Sequence, residues 1–183
     1  MQNRQILITD FIILIIAITA NIIALFYQFA FHELPCPLCL LQRVGLFFIA
    51  FGAIMNIRYG NEFRYNLIII ISSIYSLIVA MRQVLLHIVP GDPGYGSKFL
   101  NLHFYTWNDI VSFSFIILVS LTPIFKNIKF NSILSYFSIS DKLLNRLLFL
   151  ILLTMLLINV ISVYLECGFM QCPDNPVEYR NRF

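Results

Sequence analysis

Cys36 and Cys39 stand two residues apart in the stretch Leu34-Pro35-Cys36-Pro37-Leu38-Cys39-Leu40-Leu41-Gln42-Arg43, between two apolar runs. Pro35 and Pro37 remove two backbone donors and keep the gap out of regular helix. This predicts a helix beginning near Cys39. A cysteine in a first helical turn faces unpaired N–H groups and the positive end of the helix dipole, and both favour a thiolate. Arg43, four residues on, falls on the same helix face. A thiolate with a cation beside it is a reactive cysteine, so Cys36 and Cys39 are candidates for a redox pair. Two plainer readings stand beside this one. The pair can be a structural disulfide, although so small a ring gains little loop entropy. It can also be half of a zinc site completed by the other two cysteines.

Those two are Cys167 and Cys172, with four residues between them. They read either as an inert bridge that ties down a tail or as a shuttle disulfide. Exchange with another protein's thiols needs sulfur-to-sulfur contact, which an exposed pair on a flexible segment permits. Arg82 lies inside an apolar run, where ionisable side chains are functional suspects; snorkelling to the surface is its alternative, as it is for Arg43. His87, near the end of that run, can hydrogen-bond a ligand carbonyl or cap its own helix. His32 and His103 read as interfacial residues, and Asp10 and Asn21 as packing or solvation features. No residue is assigned as a metal ligand.

The elements that must position these groups are membrane helices. The 183-residue chain is 60% hydrophobic and only 11% charged, with a mean hydropathy of +0.84. Soluble domains carry about a quarter charged residues. The fold class is therefore an all-α membrane protein, a single integral membrane domain over residues 1–183. Apolar runs at about 9–31, 39–57, 65–89, 107–125 and 143–165 are each close to the roughly 20 residues that span a bilayer, which predicts a bundle of five transmembrane helices. The first run exceeds the roughly 7–15 residues of a signal peptide and is followed by no A-x-A-like site, so it reads as an uncleaved span. The Gly- and Pro-rich residues 90–97 predict an irregular loop, and 99–107 an interfacial segment. A net charge of +3 is mild and does not imply nucleic acid. Arg4, Arg58, Arg64, Lys126, Lys129, Lys142 and Arg146 flank one set of span ends, while Lys98, Arg180 and Arg182 flank the other. The positive-inside rule then puts the N-terminus in the cytoplasm and the C-terminus outside. The cysteine loop 32–39 and the tail 166–183 share that outer face, where disulfides form and persist.

Pro35-Cys36-Pro37-Leu38-Cys39 with Arg43, between two spans, together with Tyr75-Ser76 and His87 on the third span, resembles the bacterial DsbB family of inner-membrane disulfide-forming oxidoreductases. The resemblance runs over about residues 8–125. It implies a thiol:quinone oxidoreductase that takes ubiquinone or menaquinone as acceptor and oxidises a periplasmic DsbA-like thioredoxin-fold partner. By position Cys39 is implied as the quinone-facing thiolate and Cys36 as its partner, with Arg43 beside the quinone and Arg82 and His87 as further candidates for contact. The disulfide made at Cys36–Cys39 would pass through Cys167–Cys172. Here the sequence departs from the usual four-helix form, whose second pair lies in the loop between the third and fourth spans; in this chain that loop has no cysteine, and the tail pair follows a fifth span. The alternative from another class is a non-catalytic membrane assembly or adaptor subunit with structural disulfides or a zinc site made by all four cysteines. The vitamin K epoxide reductase family also couples Cys-x-x-Cys to quinone chemistry, but its order of spans and cysteines fits less well.

Overall fold

The computed structural model describes residues 8–125, 141–173, 176, 178 and 179. Arg4, Lys126, Lys129, Arg180 and Arg182, which enter the charge argument, lie outside these, as does the 133–137 part of the fourth connection. Five long helices carry the fold: α1 (Ile8–Ala30), α2 (Pro37–Tyr59), α3 (Phe63–Leu86), α4 (Phe104–Phe125) and α5 (Asp141–Cys167). All five are long and apolar enough to cross a membrane. At 1.5 Å per residue, helices of this length match a hydrocarbon core of about 30 Å.

The bundle turns the usual polarity of a globular protein inside out. Large apolar side chains such as Ile15, Phe26, Phe48, Ile78 and Leu150 face outward, while Asn21, Gln28, Asn56, Ser73, Ser76, Gln83, Asn159 and Glu166 are buried. In hydrocarbon the only place to satisfy a polar side chain is the bundle interior. Each inner stripe repeats at three or four residues: Leu152, Met155, Asn159, Ser162 and Glu166 are buried positions of α5, the spacing of one helix face. In α3 the same spacing buries Ile69, Ser72, Ser76, Val79 and Gln83.

Central α2 packs against α1, α3 and α5, and α4 packs on α3. The α2–α3 approach is close because α2 presents glycines to its neighbour. A Cβ on Gly45 would stand 2.8 Å from Ser76 Cβ, and one on Gly52 would stand 2.7 Å from Ile69 Cγ1. Small residues at such seams let membrane helices pack backbone to backbone. At one end of the bundle Asn56 donates to Asp10 Oδ1 (2.9 Å) and to Asn66 Oδ1 (2.7 Å), and Asn66 donates to Asn61 (3.0 Å). This polar knot fastens α1, α2 and α3 at the end away from the cysteines.

The segment 99–107 is not one interfacial stretch. Two-residue strands β1 (Lys98–Phe99) and β2 (Leu102–His103) pair antiparallel, and α4 begins directly after them. Leu100 and Asn101 both take positive φ, 50° and 65°, as the tight two-residue hairpin turn requires. Trp107 Nε1 donates to Phe99 O at 2.9 Å and holds the hairpin against the first turn of α4.

Candidate functional site

The Cys-x-x-Cys stretch folds as a helix N-terminus with one cysteine as the cap. Cys36 is the N-cap of α2, in extended conformation (φ −68°, ψ 162°), and its sulfur accepts from the Cys39 backbone N–H at 3.2 Å. Pro37 is the first helical residue, so the helix begins two residues before Cys39. A proline fits there because the amide hydrogen it lacks would have no helical partner. Cys39 is third in the helix. Both cysteines are free thiols with their sulfurs 2.6 Å apart, so little movement separates them from a bonded pair. Cys36 is buried and Cys39 half-buried. The Cys36 thiol is pushed well above the ordinary cysteine range, first by the bond it shares with the Cys39 sulfur and then by burial.

The side chain closest to both sulfurs is Gln83 of α3, which the sequence reading missed. Its Nε2 donates to Cys36 Sγ at 3.2 Å and lies 3.5 Å from Cys39 Sγ, and its Oε1 accepts from Gln42 Nε2 at 2.7 Å. The signal was available in register: Gln83 continues the stripe of Ser72, Ser76 and Val79. Arg82, one residue earlier and about 100° around the helix, points outward instead. It edges a shallow apolar groove formed by Leu77, Ile78, Met81, Leu85 and Leu86. His87 is the C-cap of α3; its Nδ1 lies 3.1 Å from Asp92 Oδ1 and its ring stacks on Tyr105. The Asp92 carboxyl sits below the usual aspartate range because the Gly94 N–H, and then His87, bond to it.

Arg43 turns into the bundle. It donates to Gln28 Oε1 at 2.7 Å, to Asn159 Oδ1 at 3.2 Å and to the carbonyl of Ala24 at 3.1 Å. It remains within electrostatic reach of Cys39, Glu166 and Tyr179. Gln28 in turn donates to Ser162 and, at 3.2 Å, to the Tyr179 hydroxyl. Arg43 is thus the hub that ties α5 and the tail to α1 and α2.

That hub brings the two cysteine pairs to one end of the bundle. Cys167 ends α5 and is bridged to Cys172; Gly168, at φ 65°, donates to Tyr164 O and stops the helix. Cys167 is buried, but Phe169 inside the bridged ring is 94% exposed. Two contacts latch the cysteine loop to the α3–α4 connection: Tyr95 donates to Leu34 O, and Ser97 donates to Glu33 from both its N–H and its hydroxyl. Burial pushes the Tyr95 phenol well up, so it stays a neutral donor. Among the described residues, no three His, Cys, Asp or Glu side chains converge as a metal site.

The fold and site define a class: a multi-pass helical membrane protein with a Cys-x-x-Cys pair capping a buried helix start. Residues 8–97 match the family model of disulfide bond formation protein DsbB. Over that segment the chain is similar to the DsbB family, as the cysteine loop led one to expect. It is also 38% identical over 73 residues to the disulfide bond formation protein B of Pseudomonas syringae pv. tomato, a match over 38% of this chain and 43% of that relative. No solved structure matches. The hairpin, α4, α5 and the tail pair all lie beyond the matched segment.

Proposed function

We propose that this protein is a quinone-dependent protein-disulfide oxidoreductase of the bacterial inner membrane, with both cysteine pairs facing the periplasm. The observation that carries the reading is the docking of α5 and the tail: Asn159 and Ser162 of α5 and Tyr179 of the tail join the Gln28–Arg43 hub, beside the helix that starts with Cys36 and Cys39. The match of residues 8–97 to the DsbB family model supports disulfide formation as the activity.

In this reading a reduced thioredoxin-fold partner of the DsbA kind attacks the Cys167–Cys172 bridge. The partner's two thiols become a disulfide, and the tail receives two electrons and two protons. The tail dithiol then reduces Cys36–Cys39 in the same way and is closed again. Ubiquinone or menaquinone, when bound, is the acceptor of the two electrons and two protons that leave Cys36 and Cys39. The outer face of α3 suits such a group: Leu77, Ile78, Met81 and Leu85 offer an apolar wall for an isoprenoid chain, and Arg82 a donor for a ring carbonyl. His87, a turn beyond, offers a second donor. The protein's own part is to hold the thiols. Gln83 orients both sulfurs, the helix N-terminus favours charge on Cys39, and Arg43 adds a fixed positive charge behind it.

The burial of Cys167 favours a second reading, in which the tail bridge is an inert staple. One experiment separates them. Purified protein is given a ubiquinone analogue without oxygen, with either a small dithiol or a reduced thioredoxin-fold protein as donor. Cys39→Ser should abolish quinol formation with both donors, and full activity in that variant overturns the assignment. Cys172→Ser should block the protein donor but spare the small dithiol. Unchanged oxidation of the protein donor would leave the tail a staple, and stoichiometric zinc without quinol formation would move the protein to the adaptor class.

A further inference from the structure

We propose that Glu166 is the proton carrier for exchange between the Cys36–Cys39 and Cys167–Cys172 pairs. This rests on the relay above and deepens it. Glu166 is fully buried at the last turn of α5, on the inner stripe and next in the chain to Cys167. Neither of its carboxyl oxygens has a hydrogen-bond partner among the described residues. Its neighbours on the stripe are bonded: Asn159 donates to Met155 O and Ser162 accepts from Gln28. A buried carboxylate without hydrogen bonds is costly, so a structural role alone gives no reason for an acid here where an apolar side chain would pack.

The groups that face it are few. Arg43 and Cys39 lie within its electrostatic reach from α2, and Tyr95 does so from the α3–α4 connection; Tyr179 of the tail interacts with Arg43. Arginine keeps its proton at every relevant pH, and the two phenols are weak acids. Among the described residues, Glu166 is the carboxyl group that adjoins Cys167 in the chain and lies within electrostatic reach of Cys39, and a carboxyl can both take and return a proton.

The exchange needs such a group twice over, since a thiol must lose its proton to attack and a leaving thiolate must gain one. The Cys167 thiol gives its proton to the Glu166 carboxylate, and its sulfur attacks Cys36. The Cys167–Cys36 bond forms as the Cys36–Cys39 bond breaks, the electron pair leaves on Cys39, and Glu166 hands the proton to that sulfur. Cys172 then gives its proton to the freed Glu166 carboxylate, which returns it to Cys36, and the Cys172 sulfur displaces Cys36 from Cys167. The Cys167–Cys172 bond forms, the pair leaves on Cys36, and Cys36 is protonated. Two electrons and two protons have moved from tail to loop.

The test uses the full-length protein alone. Fully reduced, anaerobic protein receives a ubiquinone analogue; samples are quenched in acid over time, and their free thiols are mass-tagged to follow closure of each pair. In Glu166→Gln the tail should close about 100-fold more slowly, the lower range for general acid–base catalysis, and the pH dependence of closure seen in wild type should flatten. The first equivalent of quinol, which reports the loop pair, serves as the check on folding. Glu166→Asp, which keeps the acid but draws it back, should restore the pH-dependent limb at a reduced rate. Wild-type closure rates and pH profile in Glu166→Gln, or a flat profile in Glu166→Asp, overturn the proposal. Wild-type protein that makes quinol but never closes its tail pair overturns the relay itself.

Discussion

At the scale of single residues, the side chains that set up the sulfur chemistry are not the charged ones that draw the eye. Gln83 touches both sulfurs, whereas Arg82 faces the apolar groove. A hydrogen bond to a charged group is worth about 1.5–3 kcal/mol, so Gln83→Leu should slow alkylation of Cys39 by iodoacetamide by roughly tenfold or more. An unchanged alkylation rate would reduce Gln83 to a spacer. The cysteine spacing, the helix start and the family were legible because they depend on neighbours in the chain. Gln83 was not, since 44 positions separate it from Cys39 and only the packing of α3 on α2 unites them. Arg43 was legible as important but not in its connections; its partners come from α1 and α5.

At the scale of elements, that packing depends on two seams without side chains. Gly45 lies against Ser76, about two helical turns along α3 from Gln83, so the distance between α2 and α3 there also sets how Gln83 meets the sulfurs. Gly45→Ala should destabilise the bundle by about 1–3 kcal/mol, the usual cost of overpacking, read as a lower melting temperature in detergent. Adding Ser76→Gly should recover part of the loss, because it removes the atom the new methyl strikes. A Gly45→Ala protein as stable as wild type would show that the helices can part freely. The five helices could be read from the sequence because apolar length is a property of each run alone. The hairpin at 98–103 could not, because it needs Leu100 in a left-handed conformation that leucine rarely adopts.

At the scale of the whole molecule, five antiparallel helices gather the α1–α2 loop, the α3–α4 connection and the end of α5 at one end. The positive-inside reading makes that end periplasmic. Single cysteines introduced in a cysteine-free background test it: Asn101→Cys should react with a membrane-impermeant maleimide added to intact spheroplasts, and Asn61→Cys should react only after the membrane is opened. The reverse pattern would put the native cysteines on the reducing side and sink the relay. The charge pattern gives an expectation for this orientation, which the labelling tests, whereas the seat of α5 was not legible in the sequence. Gln28 and Tyr179 meet across 151 positions, and no local pattern announces such a pairing.

The Tyr179–Gln28 bond and the Arg43–Asn159 bond have a kinetic consequence. In the proposed relay both pairs belong to one chain, so their exchange is a reaction within one molecule. By holding the tail against the bundle these bonds keep one pair beside the other at the effective concentrations of tethered groups, roughly millimolar or beyond. The inner exchange should therefore be first order, with a rate that does not change when the protein is diluted. Oxidation of the proposed outside partner, by contrast, should scale with how much of that partner is present. A cell making little of the partner would keep the tail pair closed and waiting, and the supply of reduced partner, not the membrane step, would set the flow of electrons to the quinone pool.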